Sequence, residues 1–241
     1  MSAGTLAQLI VERQPCVVLT GAGISTESGI PDFRSAEGIW HDVDPVEVAS
    51  IDAFRRDPGR VWDFYGRRLG ILGDVEPNDG HRAIAELEQR GLVQAVVTQN
   101  VDGLHQRAGS RDVVEVHGSL ASALCPSCGR QEGIDEVRTM LDTATVPLCV
   151  ACEAPLKPGV VMFGELLPAA AIDRATELAR SAGLVVVVGS SLEVWPVAGL
   201  PLEARGFAIV NRGPTALDHH ALVKVDAGAG ETLTAVLSAL G

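Results

Sequence analysis

Four cysteines fall in two Cys-x-x-Cys pairs, Cys125-Pro-Ser-Cys128 and Cys149-Val-Ala-Cys152, with 20 residues between the pairs. That gap sits at the edge of the range for a two-pair zinc site. Each pair can present two thiolates from one knuckle turn, and two knuckles complete a tetrahedron around Zn²⁺. Four sulfur ligands leave no open position for water or substrate, so the metal expected here is structural. Two disulfides or four unrelated thiols would be the competing assignments, but disulfides need an oxidising compartment, and nothing else in the chain suggests export.

Other reactive residue types cluster after short apolar runs. Gly21-Ala22-Gly23-Ile24-Ser25 follows one such run, with Gly29 beyond it. Glycines let a backbone approach a pyrophosphate, and a helix N-terminus supplies N–H donors. The spacing is G-x-G-x5-G, so the usual dinucleotide fingerprint is incomplete, and no acidic residue stands where a ribose contact is expected. Gln99-Asn100-Val101-Asp102 follows a second run, and an amide with a carboxylate can hold a carboxamide and its water. His105 and His117 can each titrate near neutral pH and serve as a general base; position alone barely separates them. Gly189-Ser190-Ser191 and Asn211-Arg212-Gly213 offer further small, hydrogen-bonding ends.

The runs that must position these residues read as buried parallel strands over 16–20, 92–98, 184–188 and 207–211. Helices are expected between them, over 81–90 with Gly91 as its stop, over 168–182 and over 231–240. Strands alternating with helices predict an α/β chain with a doubly wound parallel sheet, whose ligands bind at the strands' C-terminal ends. Two stretches break that rhythm, 34–80 with a helical pattern and 118–158 with the cysteines. They are expected to form a smaller inserted zinc-binding domain, leaving 1–33, 81–117 and 159–241 as the larger one. Cys16, within an apolar run, is expected to be a small core residue.

The chain has 241 residues, 46% of them hydrophobic, with 26 glycines and a net charge of −12. That charge argues against general affinity for nucleic acid, which needs clustered Lys and Arg. Glu12, Arg13 and Gln14 interrupt the N-terminal apolar stretch, so no signal peptide is expected. The longest apolar run, 184–188, is far too short to span a bilayer. No membrane association and a cytoplasmic location are expected, which again favours zinc over disulfides.

Taken in order, GAGIS, IPDFR, TQNVDGLH, VHG, the two Cys-x-x-Cys pairs, VMFGE and GSSLEVWP closely resemble the sirtuin family of NAD-dependent protein lysine deacylases. The resemblance runs from about Val17 to the final helix and implies a Rossmann-like large domain. It implies that Gly21, Ala22, Gly23 and Ser25 cradle the NAD diphosphate, and that Phe33, Arg34 and Trp40 belong to a segment closing over the reacting ribose. Gln99, Asn100, Val101 and Asp102 match the nicotinamide and ribose pocket. Gly189, Ser190, Ser191, Asn211, Arg212, Gly213 and Ala229 match adenosine-side contacts. His117 matches the catalytic histidine, with Asn100 and Asp102 beside it. Val161, Phe163, Gly164 and Glu165 resemble a strand that pairs with an acylated peptide. The implied chemistry consumes NAD: the acyl oxygen attacks the ribose C1′ as nicotinamide leaves, and His117 removes a ribose hydroxyl proton. The products would be free lysine, nicotinamide and O-acyl-ADP-ribose. Alternatives are a protein ADP-ribosyltransferase or an acetyl-only deacetylase of the same fold, a hydride-transferring oxidoreductase, and a zinc-ribbon binding module.

One further pair bears on the acyl group. Tyr65 and Arg68 stand at i, i+3 in a helical stretch, on one face. A guanidinium can bind a carboxylate through two parallel hydrogen bonds, and a subgroup of the resembled family uses Tyr-x-x-Arg to accept succinyl- and malonyl-lysine. Removal of acidic acyl groups, with acetyl alongside, is therefore expected; Arg67 should point elsewhere.

Overall fold

The computed structural model describes residues 2–33, 38–41 and 43–241. In chain order the elements are helix α1 (Ala3–Glu12), strand β1 (Cys16–Thr20), helices α2 (Pro45–Val48), α3 (Ile51–Arg56), α4 (Pro58–Asp74) and α5 (Asp79–Gln89), strand β2 (Ala95–Thr98), helix α6 (Leu104–Ala108), and strands β3 (Val113–Glu115), β4 (Gly118–Leu124) and β5 (Gln131–Gly133). They continue with helix α7 (Ile134–Leu141), strand β6 (Lys157–Val160), helix α8 (Ala169–Ser181), strand β7 (Leu184–Val188), helix α9 (Leu200–Glu203), strands β8 (Phe207–Val210) and β9 (Val223–Val225), and helix α10 (Ala229–Leu240).

Six strands form one parallel sheet in the order β3-β2-β1-β7-β8-β9. The β-branched runs are buried on both faces, and the period of 2 sends alternate residues to opposite sides. Cys16, Val18, Leu184, Val186 and Val188 join one apolar cluster with α1, α5 and α10. Val17, Leu19, Val185 and Val187 join the other, with α8 and α9. The order reverses between β1 and β7, which makes their C-terminal ends the crevice where a doubly wound sheet binds ligands.

Three antiparallel strands, β5-β4-β6, form a second sheet. A third apolar cluster joins its residues Leu120, Ala123, Leu156 and Val160 to Phe54, Val61, Trp62, Tyr65 and Leu69 of α3 and α4. Helix α4 starts at Pro58 with the Asp57 carboxylate accepting from the Arg60 N–H, and it buries Val61, Trp62, Tyr65 and Leu69 on one side. Trp62 anchors it by donating Nε1–H to the Leu156 carbonyl at 2.7 Å. Among the described residues no helix is long and apolar enough to cross a membrane.

Several expected boundaries move. The strand expected over 92–98 begins only at Ala95, because Leu92 and Val93 both donate to the Leu87 carbonyl and close the C-terminus of α5. The strand expected to reach Asn211 stops at Val210. The helix expected from 81 starts at Asp79, where the Asn78 side chain accepts from the Gly80 and His81 N–H groups.

Candidate functional site

The ends of β1 and β7 meet so closely that side chains do not fit between them. A Cβ on Gly21 would lie 2.7 Å from the Gly189 carbonyl oxygen, and one on Gly23 would lie 2.9 Å from Gly189 Cα. Gly23 donates to that same carbonyl at 2.8 Å. The glycines thus lock two strand ends together and leave backbone, with no side chain, on the crevice floor.

The residues after β2 tie into this floor. Asn100 donates from Nδ2 to the Gly21 carbonyl and to Ser25 Oγ, both at 3.1 Å. Ser25 Oγ donates to Asp102 Oδ2 at 2.7 Å, and Asp102 Oδ1 accepts from the Leu104 N–H at 3.0 Å, heading α6. Gln99 donates from Nε2 to Ser190 Oγ at 3.0 Å, while Val101 packs at the edge of the third apolar cluster. One network therefore joins expected site residues from three loops.

The two candidate histidines separate cleanly. His105 is 1% exposed, and its Nε2 meets Thr20 Oγ1 at 2.9 Å beneath the strand ends. Thr20 Oγ1 donates onward to Thr98 Oγ1, so the imidazole Nε2 is the donor. Burial pushes its pKa down to about 3, helped by His81. His117 is half-buried, in the turn between β3 and β4, and its Nδ1 lies 3.1 Å from the Gln99 carbonyl. A carbonyl only accepts, so Nδ1 carries the proton and the lone pair is on Nε2. Burial lowers the His117 pKa, and the Gln99 bond partly opposes that. Gly118 follows with φ 74°, and a Cβ there would be 2.3 Å from the Gly159 carbonyl oxygen.

Sequence reasoning missed His81. It is fully buried, it reaches Asn78 Oδ1 at 3.0 Å through Nδ1, and it stands edge-on to His105 at 4.9 Å. Burial lowers its pKa to about 4, against the pull of Asp102. The only signal for it was its position after a helix-capping Asn78.

The expected peptide-pairing segment is not a strand. Val161 N–H is taken by the His117 carbonyl, and Phe163 makes a single parallel bridge at Ser50, donating to Ala49 and accepting from Ile51. Gly164 follows with φ 88°. The Glu165 carboxylate turns inward, accepting from Met162 N–H at 2.8 Å and from the buried Lys157 Nζ at 2.9 Å. That carboxylate fixes the turn. Ala229 is also turned inward: its Cβ would be 3.3 Å from one on Gly80, so its methyl faces α5. Asn211 donates to the Arg212 carbonyl at 2.9 Å, Gly213 donates to Asp226 at 2.9 Å, and Ser191 bonds Glu193 at 3.3 Å. Arg34 lies outside the described residues.

Tyr65 and Arg68 share the inner side of α4, whereas Arg67 is exposed and paired with Asp63 at 2.5 Å. Burial raises the Tyr65 pKa to about 12, so it stays a phenol and can donate. Burial lowers the Arg68 pKa, opposed by Tyr65 and by Asp102.

The four cysteine sulfurs lie within 4.8 Å of one another, with Cys125–Cys152 at 3.5 Å and Cys128–Cys149 at 3.6 Å. Sulfurs at ~2.3 Å from a tetrahedral zinc stand about 3.8 Å apart, so the residues fit the ion. Each knuckle closes on a left-handed residue, Gly129 at φ 76° and Glu153 at φ 59°, which donates to the first cysteine's carbonyl. Cys16 is a separate, fully buried core residue.

The Sir2 family pattern matches residues 21–196. The chain is 45% identical to an NAD-dependent protein deacetylase of Chromobacterium violaceum, over 94% of this chain and 93% of that protein. It is 46% identical to NAD-dependent protein deacylase 2 of Pyrobaculum aerophilum, over 95% and 92%. The fold matches that of Sir2Tm bound to a propionylated peptide with a TM-score of 0.90 and 38% identity, covering 99% of this chain and 98% of that one.

Proposed function

This chain belongs to the Sir2 family, and from that membership we propose that it is an NAD-dependent protein-lysine deacylase, acting in the cytoplasm on succinyl, malonyl and acetyl groups. The observation that carries the reading is the fixed tautomer of His117, tethered through Nδ1 to the carbonyl of Gln99, the residue before Asn100 of the Asn100–Ser25–Asp102 network, which leaves the lone pair on Nε2. When bound, NAD supplies a nicotinamide glycosidic bond whose cleavage leaves C1′ open to the acyl oxygen.

In this reading each residue has a physical task. Asn100 and Asp102, held by Ser25, orient the nicotinamide ribose, and holding reactants in line supplies much of the acceleration. His117 Nε2 takes a proton from a ribose hydroxyl. Gly21, Ala22 and Gly23 present backbone to the diphosphate, and Phe33, Arg34 and Trp40 cover the ribose. Ser190, Ser191, Asn211 and Arg212 serve the adenosine end; at Ala229 only backbone would face it. Residues 161–164 offer their remaining backbone groups to the peptide, and Glu165 holds that turn in shape. The zinc-bearing segment 118–158 and the helical segment 34–80 act as one smaller domain that carries the acyl pocket.

Tyr65 and Arg68 would receive the carboxylate of a succinyl or malonyl group, with two guanidinium bonds and one phenol bond. Leaving that carboxylate unpaired costs about 2–5 kcal/mol. Arg68→Met should therefore lower kcat/KM on succinyl-lysine peptide by roughly 30- to 4,000-fold, with acetyl-lysine affected far less; equal loss on both would mean that Arg68 is structural. Mass spectrometry of products from NAD with matched acetyl- and succinyl-peptides tests the whole reading. Nicotinamide and O-acyl-ADP-ribose are expected, whereas ADP-ribose attached to protein would point to a transferase.

A further inference from the structure

Arg68 sits in a more elaborate setting than a point charge requires. Its guanidinium carbon lies over the Phe33 ring at 5.3 Å from the centroid and over the Phe64 ring at 5.8 Å. Trp40 stacks on the same two rings, at 5.2 Å from Phe33 and 5.8 Å from Phe64, with interplanar angles of 23° and 19°. Phe33, Trp40, Phe64 and Arg68 thus close a ring of contacts. Phe64 also meets Tyr65 edge-on, at 5.1 Å and 84°, so one side chain touches both members of the Tyr65/Arg68 pair.

This arrangement bears on how a carboxylate could be recognised. An arginine side chain has much rotamer freedom, and fixing it only when the ligand arrives weakens binding. Aromatic faces attract a cation, and more strongly where water is thinned out. Phe64 and Arg68 stand at i, i+4 on α4, where one helix turn places them side by side. The neighbouring Asp63 carboxylate is engaged by Arg67 on the exposed side and does not compete for the guanidinium. Among the described residues the guanidinium is therefore oriented by ring faces, and no carboxylate is hydrogen-bonded to its N–H edge; Asp102 attracts it only through space.

We propose that Phe64 is a positioning residue for acyl selectivity: its ring, with that of Phe33, holds the Arg68 guanidinium in the orientation that meets the carboxylate of a succinyl or malonyl group. The inference rests on the acidic-acyl reading given above. Phe64 need not touch the substrate; it acts through Arg68. A leucine there would keep apolar bulk but offer no ring face.

Steady-state kinetics on matched succinyl- and acetyl-lysine peptides at saturating NAD test this with the full chain. Assaying both peptides on one preparation makes the succinyl/acetyl ratio of kcat/KM independent of how much protein is folded. Phe64→Leu should lower that ratio about 3- to 30-fold, the range of one cation–π contact, chiefly through a raised KM for the succinyl peptide. Phe64→Tyr, which keeps the ring, should restore it. In an Arg68→Met background Phe64→Leu should change the ratio no further, as expected for two residues acting as a unit. A ratio unmoved by Phe64→Leu, or one moved equally in the Arg68→Met background, would overturn the proposal while the acidic-acyl reading stood. A wild-type protein that did not cleave succinyl-lysine would overturn that reading, and the proposal with it.

Discussion

The imidazole of His117 is anchored at one nitrogen, with Nδ1 on the Gln99 carbonyl, and burial lowers its pKa from 6.5. A base must be unprotonated to work, so activity should rise with pH through this group and level off above it. The acidic limb of the kcat/KM profile is thus expected below pH 6.5, and a limb at or above 6.5 would contradict the environment described. What could be read in advance at this scale depended on how local the chemistry is. The four cysteines were legible because each knuckle is made by neighbours in sequence. His105 and His81 were not, because their neutral, buried state depends on Thr20 and Ser25, 85 and 56 positions away. The inward turn of the Glu165 carboxylate is likewise not readable from VMFGE, since its partner Lys157 lies outside that motif.

At the scale of elements, the long β-branched runs were the most legible features. Cys16–Thr20 and Leu184–Val188 came through unchanged, because burial on both faces leaves a continuous apolar signature. The three-residue strands Val113–Glu115 and Val223–Val225 at the sheet edges carry too short a pattern to detect. The helix at Ala3–Glu12 and the bridge-and-turn at 161–165 also escaped notice. Gly118 is where an element boundary bears directly on chemistry, since its φ of 74° turns the chain from β3 into β4 immediately after His117. Gly118→Ala combines a left-handed conformation with a 2.3 Å approach to the Gly159 carbonyl. A loss of about 3 kcal/mol in unfolding free energy is expected, read as a lowered urea midpoint. Activity of the remaining folded protein should fall as well, because relief of the clash displaces His117. A variant with unchanged stability would show that the β4–β6 crossing yields easily.

Across the whole molecule, the parallel sheet and its two apolar layers were foreseeable from the alternation of strands and helices; a smaller domain of 34–80 with 118–158 is expected from the sequence too, but which side chains of α3 and α4 meet the cysteine-bearing sheet is not, since that contact joins residues 48–69 to residues 120–162. Cys125 and Cys149 are both buried within that cluster, alongside Trp62. Binding energy at a structural zinc is folding energy. Chelation, or Cys128→Ala, should therefore loosen this cluster first, seen as a red shift in Trp62 emission while the far-ultraviolet signal of the larger sheet is largely kept. Simultaneous loss of both signals would mean that the two sheets unfold as one. Among the described residues the shortest covalent link between those sheets is Val116 and His117, with the imidazole tethered to the end of β2 and the His117 carbonyl to Val161. Were one sheet to swing against the other, this dipeptide would be the pivot. The proton acceptor would then travel least when the aromatic wall on α4, at the far end of the lever, travels most.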